Sequence, residues 1–314
     1  MAANKEMRSV YTETLIELAE KNNNIVVLEA DLMKSQGTVK FMEKFPERTF
    51  NIGVAEANMV GIAAGLSALG KIPFAATFGC FAGRRVYDQF FISANYAKLN
   101  VKLVGSDPGV AAAYNGGTHM PFEDLGIMRN IPKCTVLEAC DQVSLRKLMI
   151  KSAEHYGSVY MRLHRKPVEP VYPENEEFEL GKGKVLKDGS DITIIANGAI
   201  MVHEALAAEA LLQKEGIRAA IIDMHTIKPI DKDLIIRYAK KTKALITCEN
   251  HQVVNGLGSA VAEVLSENIP TLMARLGIND EFGEVGTQEF LQKRFGLTGI
   301  AIAEKATELL KRKI

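Results

Sequence analysis

The chain of 314 residues carries no net charge, because Lys and Arg together number 38 and Asp and Glu also number 38. That balance leaves no electrostatic footprint for nucleic acid or an acidic membrane surface, and it weakens the repulsion that keeps copies apart. Cysteine is sparse. Cys80, Cys134, Cys140 and Cys248 show no CxxC spacing and sit in apolar runs, so they read as buried free thiols. The opening MAANKEMRSVYTE lacks an apolar signal core, which makes the cytoplasm the default expectation. The apolar stretch 57–83 is broken by Lys71 and Pro73, and it reads as a buried helix followed by a buried strand, not as a membrane span. Internal repeats and low-complexity tracts are also missing.

What is present is alternation. Short β-rich runs at 25–31, 72–78, 101–106 and 134–139 are separated by helical periodicity over 8–22, 55–69, 83–97 and 141–154. Residues 166–182, with prolines and an acidic run, interrupt the pattern and read as a linker. Beyond them strands are expected at 192–196, 219–223 and 244–249, with helices over 199–215, from about 258, and over 301–312. The expected class is α/β with two domains, 1–165 and 183–314, each a mostly parallel sheet flanked by helices. A chain of this length buries roughly three quarters of its unfolded surface without help from metals or disulfides. Ligands of open α/β sheets bind beyond the carboxyl ends of the strands, which points to the loops starting near Asp31, Phe78, Asp107 and Arg162.

Several residues in or near those loops have two readings each. Glu56 opens a small-residue helix in NIGVAEANMVGIAAGLSALG (51–70). An acid there is ordinarily a macrodipole partner. The other reading is a partly buried carboxylate kept for acid–base work, its proton affinity raised by desolvation. Phe78 and Phe81, with Arg84 following, are either core aromatics or the wall of a pocket. His119 lies in a long glycine-containing loop, 106–126; a surface histidine is the ordinary reading, yet substrate contacts gather in such loops. Arg8 and Arg162 alone read as solvated cations. In the second half, Glu249-Asn250-His251 and Gly256-Leu257-Gly258 read as a tight strand-to-helix turn, with only a weak anion-site signal.

Three strings, in this order and spacing, carry a family resemblance: Gly53-Val54-Ala55-Glu56, Thr77-Phe78-Gly79-Cys80-Phe81 and Gly117-Thr118-His119. They resemble the pyrimidine-binding domain of transketolase-type thiamine-diphosphate enzymes, and the second half resembles the transketolase C-terminal domain. The resemblance implies that Glu56 hydrogen-bonds N1′ of the aminopyrimidine and favours the imino tautomer that deprotonates C2 of the thiazolium. It implies that Phe78 and Phe81 pack on the ring, with Asp31 and Arg84 near the cofactor. Arg8, Ser35 and Arg162 would bind the sugar-phosphate group. His119 would contact the sugar hydroxyls or carbonyl and assist proton transfer.

Two positions depart from the family pattern. Asp107 stands where a histidine is common, and a carboxylate there repels a phosphate unless something bridges the two. Asn115 stands where an aspartate is common, which removes a charge that helps to read hydroxyl configuration. Both belong to the expected substrate site, and they leave room for a branched or sulfonated sugar.

No Gly-Asp-Gly occurs in the sequence, and Asp188-Gly189-Ser190 reads as a loop. The family anchors the diphosphate through that motif and a Mg²⁺ or Ca²⁺ ion, so the resemblance implies that an N-terminal partner subunit holds the metal. The implied protein is a C-terminal subunit, active only with that partner in an α2β2 assembly, that transfers a two-carbon ketol unit from a ketose to an aldose. Three rivals are the β subunit of a 2-oxoacid dehydrogenase E1, a non-catalytic scaffold chain of the same fold and the related deoxyxylulose-phosphate synthase, a single, longer chain against which length argues. Gly-Gly-Thr-His with Arg8 and Ser35 argues against the first; the joint presence of Glu56, Phe81 and His119 argues against the second.

Overall fold

A computed structural model describes residues 5–313; residues 1–4, where the expected first domain begins, and residue 314 lie outside the described residues. The chain divides into two compact units, Met1–Pro108 with Ile127–Leu180, and Gly109–Gly126 with Gly181–Ile314. By its contacts the loop 109–126, which the sequence pattern places in the first domain, groups with the second unit.

In the first unit the strands are β1 (Ile25–Glu29), β2 (Thr49–Asn51), β3 (Ile72–Phe78), β4 (Lys102–Ser106), β5 (Thr135–Glu138) and β6 (Val159–Leu163). They lie in the order β5-β6-β4-β3-β1-β2, every pair parallel. Strands such as IVVLE in β1 are buried along their whole length, which is why they appear as continuous apolar runs and not as alternation. Because all run the same way, the loops after β1, β3, β4 and β6 leave the sheet at one edge. The register sets Phe78 beside Ser106 and Ser106 beside Leu163, so the chain segments that follow depart level with one another.

Helices Met7–Lys21, Glu56–Ala68 and Gln142–Glu154 cover this sheet. The last begins with a capping box: Asp141 accepts from the Ser144 amide at 2.8 Å while Ser144 Oγ accepts from the Asp141 amide at 3.0 Å. The second oxygen of Asp141 accepts from the Val171 and Tyr172 amides at 2.8 and 2.9 Å. Tyr172 and Phe178 are buried edge to face, 4.9 Å between ring centroids, and they pin the expected linker 166–182, which is otherwise mostly exposed. The single helix expected over 83–97 is instead three short pieces, Gly79–Arg84, Tyr87–Gln89 and a π-helical turn, Phe90–Tyr96. In that turn the Asn95 side chain donates to the Phe90 carbonyl at 2.7 Å, offering the backbone a partner outside the regular ladder.

The second unit holds β7 (Lys184–Lys187), β8 (Ile192–Ala196), β9 (Ala219–Asp223), the short β10 (Thr226–Lys228), β11 (Ala244–Gln252) and β12 (Leu272–Ile278). Five of them form a sheet in the order β12-β11-β8-β9-β7, parallel except for the antiparallel edge strand β7. Helices Gly198–Lys214, Lys232–Thr242, Leu257–Asn268 and Gly299–Lys311 flank it. All four cysteines are buried thiols, and none forms a disulfide. Among the described residues no helix is long and apolar enough to cross a membrane.

Candidate active site

Glu56 is the first residue of the helix Glu56–Ala68 and is only 4% exposed. Its carboxylate meets Arg85, whose Nη1 donates to Oε1 at 3.0 Å and to Oε2 at 3.2 Å. Both oxygens share one nitrogen, so each keeps a lone pair for another donor. Arg85 is 49% exposed, which leaves it room to adjust. Its guanidinium lies 3.9 Å from the centroid of the Phe81 ring, and Phe81 is tilted against Phe78 with centroids 6.2 Å apart. The arginine at the acid is thus Arg85. Arg84, the expected cofactor neighbour, is exposed at the end of its helix.

The row continues past the rings. Arg165 lies 5.4 Å from the Phe78 centroid and donates through Nε to Asp107 Oδ1 at 2.7 Å. Its Nη1 donates to the Ser35 carbonyl at 3.3 Å, and Arg8 Nη1 donates to the same oxygen at 3.3 Å. Arg8 is also gripped by Glu6, at 2.7 and 3.1 Å. Asp107 takes a left-handed backbone (φ 57°), and its Oδ2 is buried without a hydrogen-bond partner. Burial pushes its carboxyl up, while Arg165, Lys166 and Arg8 pull it down. Asp107 is thus a buried carboxylate paired with one cation, Arg165.

Arg162, the expected phosphate ligand, is not at the surface. It lies inside β6 with its side chain 0% exposed, and Nη1 bonds Glu138 Oε2 at 3.2 Å. Strand phase could have shown this, since Arg165 is the first arginine beyond the end of β6.

Asp31, just past β1, also has a left-handed backbone (φ 62°). Asn51, which sequence reasoning passed over, ties it to the approach to Glu56. The Asn51 Oδ1 accepts from the Asp31 and Gly53 amides at 3.0 and 3.1 Å, and Nδ2 donates to Asp31 Oδ1 at 3.2 Å. Behind this edge Glu29 is fully buried, with Thr38 donating to Oε1 at 2.6 Å and Oε2 left without a partner. Burial pushes its carboxyl up to about 8.

Asn115 and His119 belong to the second unit. Asn115 is exposed; His119 is partly buried, its Nδ1 2.9 Å from Thr118 Oγ1. They sit on the 3₁₀ turns Gly109–Asn115 and Gly117–His119. In the same unit the glycine-flanked head of the helix Leu257–Asn268 is filled from within: the Leu257 and Gly258 amides donate to Glu249 at 2.7 and 2.9 Å. Among the described residues no group of three or more His, Cys, Asp or Glu is arranged to hold a metal ion.

Comparison with known proteins matches residues 3–170 to the transketolase pyrimidine-binding domain and residues 181–302 to the transketolase C-terminal domain. The chain is 50% identical to a 6-deoxy-6-sulfo-D-fructose transketolase subunit of Clostridium sp. (strain MSTE9), covering 98% of this chain and 95% of that one. It is 36% identical to an apulose-4-phosphate transketolase subunit of Phocaeicola vulgatus, covering 97% of each. Among solved structures it is similar to a split-gene transketolase, described as an inactive β4 tetramer, with 44% identity and a TM-score of 0.92 over 98% of this chain and 99% of that one.

Proposed function

We propose a function that proceeds from one premise: the chain belongs to the transketolase family and spans its pyrimidine-binding and C-terminal domains. The reading is a C-terminal subunit of a thiamine-diphosphate-dependent transketolase that moves a two-carbon ketol unit from a ketose to an aldose. An N-terminal subunit supplies the diphosphate and metal grip, in an α2β2 assembly. The observation that carries this reading is the continuous row Glu56–Arg85–Phe81–Phe78–Arg165–Asp107 along one sheet edge.

The residues fit the aminopyrimidine half of the cofactor. Glu56 is nearly dry and each of its oxygens keeps a lone pair, so it can share a proton with a ring nitrogen; Phe81 and Phe78 offer aromatic faces beside it. Thiamine diphosphate, when bound, supplies an acidic C–H whose conjugate base cleaves the bond next to a ketone. This chain's part is to hold the pyrimidine, keep water from Glu56 and bind the sugar. His119 contacts the sugar's oxygens. Arg165 and Arg8, with Ser35, receive the anionic end of the sugar.

The charge of that end follows from the pairing. Among the described residues Arg165 is neutralised by Asp107 and Arg8 by Glu6, and Lys166 adds a positive charge felt at Asp107. One positive charge suits a sulfonate better than a phosphate, which carries about −1.5 to −2. The relative named for a sulfonated ketose supports the same choice.

Reconstitution tests both levels. The chain is mixed with an N-terminal transketolase subunit, thiamine diphosphate and Mg²⁺, and ketol transfer is followed from sulfonated and phosphorylated ketoses, with pyruvate decarboxylation in parallel. Ketol transfer with a higher kcat/KM for the sulfonated donor is expected, and Asp107→Asn should shift that ratio toward phosphate. Pyruvate turnover without ketol transfer would overturn the reading.

A further inference from the structure

The segment 109–126 holds only short 3₁₀ turns and the first residues of the helix Asp124–Arg129, yet it is fixed at both ends by four residues within 250–255. At its start the Val110 amide donates to Asn250 Oδ1 at 3.0 Å. Near its end the Gly126 amide donates to His251 Nε2 at 3.1 Å, the Gln252 amide donates to the Phe122 carbonyl at 2.8 Å, and Asn255 Nδ2 donates to the Gly126 carbonyl at 2.9 Å. His251 Nδ1 lies 2.7 Å from the Gln252 carbonyl; a proton donated there leaves Nε2 as the acceptor that Gly126 requires. Asn250 and His251 are both buried, so neither bond is exchanged for one to water. Backbone fit is equally tight: Gly109 has φ +51°, and a side chain there would run into the Asn250 amide, while one at Gly117 would run into the Gly283 backbone.

We propose that Asn250 and His251 are positioning residues that hold His119 in its working orientation; this rests on the functional reading above for what His119 contacts. His119 ends a single 3₁₀ turn, Gly117–His119, that follows Gly116, with the Thr118 hydroxyl beside its ring. A turn that short takes its orientation from the anchors on either side. The C-terminal domain thereby takes part in catalysis through one histidine that it holds and does not itself encode in its contiguous sequence.

The test uses the complex reconstituted with the N-terminal subunit, thiamine diphosphate and Mg²⁺. Asn250→Ala should lower kcat for ketol transfer about tenfold, while hydrogen–deuterium exchange at C2 of the cofactor, which reports on Glu56, stays at the wild-type rate. Asn250→Asp keeps an oxygen acceptor for the Val110 amide and should restore turnover to within about threefold. The double variant His119→Ala/Asn250→Ala should be no slower than His119→Ala alone. In the isolated subunit, backbone amide exchange over 109–126 should quicken in Asn250→Ala. Losses that multiply in the double variant, an aspartate no better than alanine, unchanged amide protection, or C2 exchange that falls with turnover would each overturn the positioning role alone. A wild-type complex with no C2 exchange would overturn the functional reading and this proposal with it.

Discussion

Glu56 and Glu249 are both buried carboxylates at the head of a helix, one in each unit, and their surroundings differ. Glu249 reaches the helix Leu257–Asn268 from β11, accepts two of its first amides and lies 3.6 Å from His251 Nδ1. Its hydrogen-bonding capacity is absorbed by the fold. Glu56 belongs to the helix that it begins, makes no side-chain cap to it, and meets a half-exposed arginine through one shared nitrogen. The same residue type at the same kind of helix end is structural where the chain satisfies it and available for chemistry where it does not.

Substitutions can break that contrast. The largest effect is expected from Glu56→Gln in the reconstituted complex, where C2 exchange should slow by about 10²- to 10⁴-fold while thermal unfolding of the subunit is unchanged. Glu249→Gln should do the reverse. An amide cannot accept at both positions, so a buried helix N–H loses its partner, and urea unfolding should show a loss of roughly 2–4 kcal/mol. C2 exchange per folded complex should persist. If Glu249→Gln instead abolished exchange at full stability, the two acids would not be different in kind.

Glu29 sharpens the comparison as a third case, a buried carboxyl with one hydroxyl donor and no cation. Its folded value of about 8 lies above the ordinary 4.5, so the folded chain holds a proton that the unfolded chain releases. The stability this contributes is full below pH ~4.5 and is lost as pH rises toward 8, a change on the order of a few kcal/mol at most. Urea midpoints measured between pH 5 and 8 should fall with pH, and Glu29→Gln should flatten that fall. The smallest effect belongs to Arg85→Met: the arginine is half in water although Glu56 is buried, so stability should change by about 1 kcal/mol, read by the same urea titration.

The parallel sheets were legible in the sequence because buried strands such as ITIIA (192–196) and AAIID (219–223) are unbroken apolar runs bounded by polar residues. Strands that break this rule were not. LMARLGI in β12 carries Arg275 and is partly open along its first half, and KVLK in β7 is a four-residue edge. At the proposed site, the acid and the two rings stand in short strings that single them out. That Arg85 lies against the acid and Arg165 near a ring could not be read there, because it requires knowing where a strand or helix ends to within a residue. The allegiance of 109–126 was invisible for a different reason. It depends on Asn250 and His251, about 130 residues away, and no local pattern reports a bond of that range.

The same allegiance dictates where the chain can be cut. It passes from one unit to the other at 108/109, at 126/127 and again at 180/181. No single cut separates two self-sufficient pieces. A fragment ending near residue 180 would carry 109–126 stripped of its anchors, and one starting there would leave the anchors with nothing to hold. Chimaeras with relatives should therefore graft 109–126 together with 181–314, as one inheritance unit that the gene writes in two places.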